Sequence, residues 1–322
     1  MNLPNHRHED RFALAEALEE RGEHAKALQI WRKLALDKAD PEILLRQAQS
    51  AEKLGYLEEA EEAYRAAIHL DGSLSPAYLA LGSILMDRGD FEGATKLLSS
   101  SLTLEKSPIA YTMLGVALIS LGRTEEAIES LTAATKIDPS YEEAYFNLAL
   151  LKQKSDPDSA PVLLNKAIER DPDYADAHRE LGWLLNEKEP GALAEYHLRR
   201  AIELKPNDSW GRIYLGNLLF KRGDISSAIA EFKMAITMAP GWALPIYSLA
   251  NIFESQELWE KAEELYKEAL ILEPGNAIAH MNFGRMLKKR GDLARAVVQL
   301  RAALEIDPNY REAAQLLADT PG

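Results

Sequence analysis

Between Ser209 and Trp242 the chain reads SWGRIYLGNLLFKRGDISSAIAEFKMAITMAPGW. Apolar residues recur at helical spacing on both sides of Arg222-Gly223-Asp224, and Ala239-Pro240-Gly241 closes the stretch. This predicts two amphipathic helices joined by a turn. Neither helix could bury its apolar face alone. The pattern repeats before and after itself, so the helix pairs must stack on one another.

The small residue inside each first helix falls at Ala15, Ala48, Gly82, Gly115, Ala149, Gly182, Gly216, Ala250 and Gly284, in steps of 33 or 34 residues. In the second helices the matching residue is alanine every time: Ala27, Ala60, Ala94, Ala127, Ala160, Ala194, Ala228, Ala262 and Ala296. A side chain larger than a methyl would hold two helices apart at their closest crossing. Glycine costs about 1 kcal/mol of helix propensity against alanine, so its use inside a helix marks a packing need. Leucine at Ala228 or Gly216 is expected to overpack that contact.

Turns within the pairs carry Gly22, Gly55, Gly89, Gly122, Gly223 and Gly291, placed for left-handed C-caps. Repeats five, six and eight have Ser155-Asp156-Pro157, Glu189-Pro190-Gly191 and Gln256-Glu257 instead, and repeat five is one residue short. Between repeats, Asp138-Pro139, Asp171-Pro172, Lys205-Pro206, Ala239-Pro240, Glu273-Pro274 and Asp307-Pro308 stop the second helices, because proline biases the preceding residue away from helix. Repeats one to three end less regularly, at Ala39-Asp40-Pro41, Asp71-Gly72-Ser73 and Lys106-Ser107-Pro108.

The 34-residue period, with Tyr111-x2-Leu114-Gly115-x2-Leu118, Ala127-x3-Leu131 and Pro139, resembles the tetratricopeptide repeat. The resemblance covers about nine units and implies an all-α, right-handed α-solenoid superhelix, with first helices lining its concave face. The expected organisation is a disordered tail over residues 1–7, the superhelix over 8–310, and a capping helix with a C-terminal tail over 311–322. Ala313, Ala314 and Leu317 would cover repeat nine, with Arg311, Glu312, Gln315 and Asp319 facing solvent.

Composition narrows the function. Of 322 residues 47% are hydrophobic and 7% aromatic, which suits close helix packing. The absence of cysteine excludes disulfides, thiolate metal sites and thiol nucleophiles. The start, MNLPNHRHEDRFAL, lacks the layout of a secretory signal, and no run approaches the ~20 apolar residues of a membrane span. A soluble, cytoplasmic protein is expected. A net charge of −14 disfavours nucleic acid and anionic lipid as partners.

Catalytic constellations are missing. None of the seven histidines sits in an HExxH or comparable spacing. His178 and His280 stand where Tyr78, Tyr111 and Tyr145 stand in other repeats, so they are read as packing residues. No glycine-rich phosphate loop follows a strand, and no strand pattern is present. The reading is therefore not an enzyme, with no catalytic residue, metal or cofactor.

Binding remains. First-helix positions that the family pattern leaves free of packing give Phe146, Asn147, Trp183, Trp210, Tyr214, Asn217, Phe220, Lys221, Tyr247, Asn251, Asn282 and Arg285 as candidate partner-binding residues. Trp210, Tyr214, Asn217 and Lys221 share one stripe of one helix. Rings and amides suit an extended peptide or a partner helix, although rings could also fill gaps between neighbouring first helices. Trp31 and Trp259 face the repeat core; Trp242, at a junction, could serve either role. No triplet of helices supplies the family's carboxylate clamp. Of the asparagine ladder known in glycosyltransferase superhelices, only Asn147 and Asn282 are present. Glu9, Glu16, Glu19 and Glu20 in repeat one, against Arg285, Lys288, Lys289 and Arg290 in repeat nine, suggest a partner steered into register by charge.

The expected function is a protein–protein adaptor or scaffold that holds a peptide or helix of a partner in the concave groove of repeats five to nine. The alternatives are a self-assembling structural scaffold, hence a homo-oligomer, and the regulatory subunit of an enzyme complex.

Overall fold

The computed structural model of the chain describes residues 3–188 and 191–320. The repeated apolar stripes fold as nineteen α-helices, and no strand occurs among the described residues. The architecture is an all-α solenoid of helix pairs. It divides into two compact units, Met1–Arg170 and Asp171–Gly322.

The first unit holds α1 (Leu3–Glu20), α2 (His24–Asp37), α3 (Pro41–Lys53), α4 (Leu57–Leu70), α5 (Ser75–Asp87), α6 (Phe91–Leu104), α7 (Pro108–Ser120), α8 (Thr124–Ile137), α9 (Glu142–Ser155) and α10 (Ser159–Arg170). The second holds α11 (Ala175–Lys188), α12 (Ala192–Leu204), α13 (Ser209–Lys221), α14 (Ile225–Met238), α15 (Ala243–Ser255), α16 (Trp259–Leu272), α17 (Ala277–Arg290), α18 (Leu293–Ile306) and α19 (Arg311–Ala318). Within each unit every odd-numbered helix packs on its even-numbered successor. Successive first helices also touch, as in α11 with α13, α13 with α15 and α15 with α17.

The crossing points lie where the small residues are. All nine second-helix alanines are at most 1% exposed. A Cβ built on Gly115 would sit 2.6 Å from Leu131 Cγ, and one on Gly284 would sit 2.8 Å from Leu300 Cγ. Where the first helix carries alanine instead, the residue sixteen positions on is aromatic in three of four cases: Ala15 with Trp31, Ala48 with Tyr64 and Ala250 with Tyr266. In each of these repeats a glutamate follows the alanine by one helical turn and accepts the polar end of the ring. Trp31 Nε1 donates to Glu19 at 2.8 Å, Tyr64 Oη to Glu52 at 2.5 Å and Tyr266 Oη to Glu254 at 2.8 Å.

Gly115→Ala should lower stability by about 1 kcal/mol, read from the denaturation midpoint. Overpacking costs about 1–3 kcal/mol, offset by the ~1 kcal/mol that alanine gains in helix propensity. The contact made is with Leu131 Cγ, a branch carbon close to its own backbone, which cannot swing aside as a flexible chain end would. Unchanged stability would show that α7 and α8 separate freely.

The turns follow the sequence. Gly122, at φ 72°, ends α7, and the Arg123 amide reaches back to Leu118 O at 2.9 Å, closing a Schellman-type cap. In repeat eight Glu257 takes the same left-handed position at φ 58° without the freedom of glycine. Glu189 and Pro190 of the repeat-six turn lie outside the described residues. Two of the irregular junctions have a cause: Asp40 and Ser107 are N-caps, accepting from the amides of Glu42 and Ala110, with Pro41 and Pro108 opening α3 and α7. There proline starts the next helix rather than stopping the previous one.

α1 begins at Leu3. One expectation is corrected on the last helix. On α19 Ala314 is exposed, and Leu316 joins Ala313 and Leu317 against repeat nine. Positions 313, 316, 317 and 320 follow the helical stripe, and Thr320 is buried too.

Candidate functional site

Arg179 on α11 organises the start of the second unit's first-helix layer. It reaches Asp176 at 2.6 Å, Glu180 at 3.0 Å and Asp208 at 3.2 Å, so one guanidinium joins α11 to the residue that caps α13. Burial alone would lower its pKa, but the carboxylates of Asp208 and Glu180 reverse the direction and raise it. Asp208 uses its other oxygen to accept the Trp210 amide at 3.1 Å. This fixes the first turn of α13 and the point from which Trp210 projects.

From there a path of rings runs across the layer. Trp183 on α11 lies 6.0 Å from Tyr214 on α13 between ring centroids, Tyr214 lies 5.7 Å from Trp210, and Trp210 meets Trp242 edge-on at 4.5 Å. Trp242 is the N-cap residue of α15. Tyr214, Phe220 and Trp242 lean on the core of repeats six to eight, while Trp210 is 45% exposed. Burial, together with the charge of Glu180, pushes the Tyr214 hydroxyl up to about 12, so it stays a neutral donor. Among the described residues no side-chain hydrogen bond engages the indole N–H of Trp183, Trp210 or Trp242, the Tyr214 hydroxyl or the Asn217 amide. A cavity of about 400 Å³ flanks the path, lined by Asp176, Arg179, Lys205, Pro206, Asn207 and Asp208.

A second group gathers on α13, α15 and α17. Phe220, Asn251, Glu254, Ser255, Arg285 and Lys289 line a cavity of about 260 Å³. The Glu254 carboxylate, buried in its wall, accepts from Lys289 at 2.7 Å, Tyr266 at 2.8 Å and Arg285 at 3.3 Å. Burial pushes Glu254 up, and the cations of Lys289 and Arg285 overcome it, for a net lowering. Asn251 Oδ1 accepts from Arg285 at 3.3 Å and lies 2.5 Å from the Tyr266 hydroxyl, whose single proton it shares with Glu254.

The twelve candidates thus separate. Trp183, Trp210, Tyr214 and Asn217 share the ring path; Phe220, Asn251 and Arg285 share the ionic cavity. Lys221 is held by Glu187 at 3.1 Å. Tyr247 and Asn282 are 8% and 6% exposed, closed in by neighbouring helices, and offer little surface to a partner. Phe146 and Asn147 stand on α9 of the first unit, half-buried, with the Asn147 amide turned onto Glu143 O at 2.8 Å. The supposed charge register is largely consumed internally: Glu16 and Glu19 face Arg46, Arg290 faces Glu263, and Lys288 donates to Leu316 O.

Sequence reasoning missed Glu254 and took Lys289 for a free groove charge, and it missed a cavity of about 490 Å³ in the first unit whose walls include Glu19, Glu52, Tyr64, Pro76 and Ile109. The available signal was the glutamate one turn after the small alanine, in each of the three repeats that carry an aromatic sixteen residues on from it. His178 and His280 are packing residues as expected, each bonded to the carbonyl of the proline six residues before it, at 3.2 and 3.1 Å. Among the described residues no cluster of histidine and carboxylates could hold a metal ion, and no helix is long and apolar enough to cross a membrane.

Residues 5–243 match the family model of the cilia and flagella-associated protein 70 C-terminal domain, and residues 255–320 match the tetratricopeptide repeat. The chain belongs to the tetratricopeptide-repeat family. Among its relatives, the BBSome complex member BBS4 of Bos taurus is 25% identical over 92% of this chain and 60% of its own length. A probable UDP-N-acetylglucosamine–peptide N-acetylglucosaminyltransferase SPINDLY of Petunia hybrida is 29% identical, over 33% of this chain and 11% of its own length. Among solved structures, the APC/C hetero-tetramer Cut9-Hcn1 has a chain that matches with a TM-score of 0.63 at 18% identity, over 92% of this chain and 59% of that one, a likeness of fold. The tetratricopeptide chain described here thus spans about three fifths of the length of its bovine relative. Two of these likenesses are named as parts of multi-protein assemblies, the BBSome complex and the APC/C hetero-tetramer.

Proposed function

We propose that this tetratricopeptide protein is a non-catalytic adaptor or scaffold, holding a peptide or helix of a partner protein against the first helices of its second unit. The observation that supports this best is the run Trp183–Tyr214–Trp210–Trp242, contiguous rings whose polar ends make no side-chain hydrogen bond among the described residues. Large rings give contact area at low entropy cost, and a few of them carry most of an interface's energy. The same reading has the protein working in the cytoplasm, as its sequence leads one to expect.

Trp210→Ala is the cleaner test, because Tyr214 also packs on the core. The variant should lose capture of the wild-type partner, with affinity down by about tenfold or more, corresponding to at least ~1.4 kcal/mol. Its melting temperature should stay within about 2 °C of wild type, since an exposed substitution changes stability by only about 0.5 kcal/mol. A drop of several degrees with full capture would make the rings structural and end the proposal.

A further inference from the structure

The geometry points to a proline-rich segment in the polyproline II conformation as the occupant of the ring path. This rests on the peptide-binding reading above and narrows it. The path is weighted toward donors: three indole N–H groups, which cannot accept, stand beside the Tyr214 hydroxyl and the Asn217 amide, each of which can donate as well as accept. Carboxylates that might have accepted from a ligand are already engaged. Asp208 is held by Arg179 and the Trp210 amide, Glu180 by Arg179, and Asp176 by Arg179 and Lys205.

A ligand complementary to such a wall brings acceptors and few donors. A helix has its carbonyls bonded internally and would leave the indole donors unmet. An ordinary extended strand brings an N–H for every carbonyl and would set donors against three indoles that cannot accept. Proline has a carbonyl and no N–H, and its ring stacks on aromatic faces. The steps between centroids, 6.0, 5.7 and 4.5 Å, each correspond to roughly two residues or fewer of polyproline II at ~3.1 Å per residue. That conformation is already populated in the free peptide, which lowers the entropy lost on binding.

The test uses the full chain and three labelled peptides of equal length: decaproline, a Gly-Ser repeat and an alanine-rich helix former. Fluorescence anisotropy and tryptophan emission are read for wild type, Trp210→Ala and Trp210→Phe, with thermal melts confirming folding. Decaproline is expected to bind about tenfold or more tighter than either control. Trp210→Ala should weaken it about tenfold, and Trp210→Phe, which keeps a ring face and loses the donor, should weaken it less. If a control peptide binds as well as decaproline, or decaproline binding ignores Trp210→Ala, the inference is overturned. Should decaproline fail to bind while Trp210→Ala still abolishes partner capture, the peptide-binding face stands and its polyproline specificity falls. Failure of both overturns both.

Discussion

Glu254→Ala is expected to lower the stability of the second unit by about 3 kcal/mol, measured as a shift in the urea midpoint. The carboxylate's side chain is 2% exposed and gathers three donors, Lys289, Tyr266 and Arg285. Removing the buried member of an ionic cluster costs up to roughly 3–5 kcal/mol where the remaining charge is left unpaired away from water. Two features favour the lower end. Arg285 keeps Asn251 at 3.3 Å and faces Glu312 at 3.9 Å, and Lys289 reaches solvent. Tyr266→Phe removes only one donor and should cost about 1–1.5 kcal/mol. The ordering of the two variants is the sharper check: if they lose equally, the ionic part of the cluster contributes nothing and the hydroxyl accounts for the whole effect.

The same cluster shows how far the sequence could be read. Helix pairs, their period and their crossing points were legible because each is recorded within one repeat: a small residue in the first helix, an alanine in the second, a glycine or proline at the ends. Neighbour relations were harder. Tyr247 and Asn282 occupy positions that the family pattern leaves free, yet they are buried, because how closely adjacent first helices approach depends on side-chain volumes on both sides. Arg285 and Lys289 read as free surface charge, and their counterion lies over thirty residues earlier, on α15. On α19 the error was smaller: Ala314 was chosen for its apolar character, but the helical stripe runs through Leu316. The ring path was half legible. Trp210, Tyr214 and Asn217 are visible as one stripe of α13, whereas the addition of Trp183 and Trp242 requires the packing of three repeats.

Acidification between pH 6.5 and 5 should destabilise the protein by about 2 kcal/mol through one histidine pair. His178 on α11 and His197 on α12 are 2% and 6% exposed, with their Nδ1 atoms 2.9 Å apart. His178 Nε2 faces the Pro172 carbonyl, which can only accept, so His178 Nε2–H is the donor there. In the neutral pair His197 Nδ1–H therefore donates to His178 Nδ1. A further proton on His178 Nδ1 would place two donors face to face, and one on His197 Nε2 would put a charge in a buried site. Burial lowers the His197 pKa to about 4, with the charge of His178 adding to it. His178 is lowered as well, chiefly by burial; Pro172 O opposes this, Arg200 adds to the lowering, and Asp173 and Asp171 oppose it. Tyr196 packs edge-on to both rings. The unfolded chain binds these protons below its ordinary histidine pKa of about 6.5 while the folded chain refuses them, so stability is complete above that pH and declines as pH falls toward about 4. Carboxylates contribute mainly below about 4.5, which leaves the upper window to histidine. Urea midpoints at pH 7, 6, 5.5 and 5 for wild type and His197→Gln give the test. The slope should flatten in the variant, and an identical slope in both would show that the pair titrates freely in the folded state.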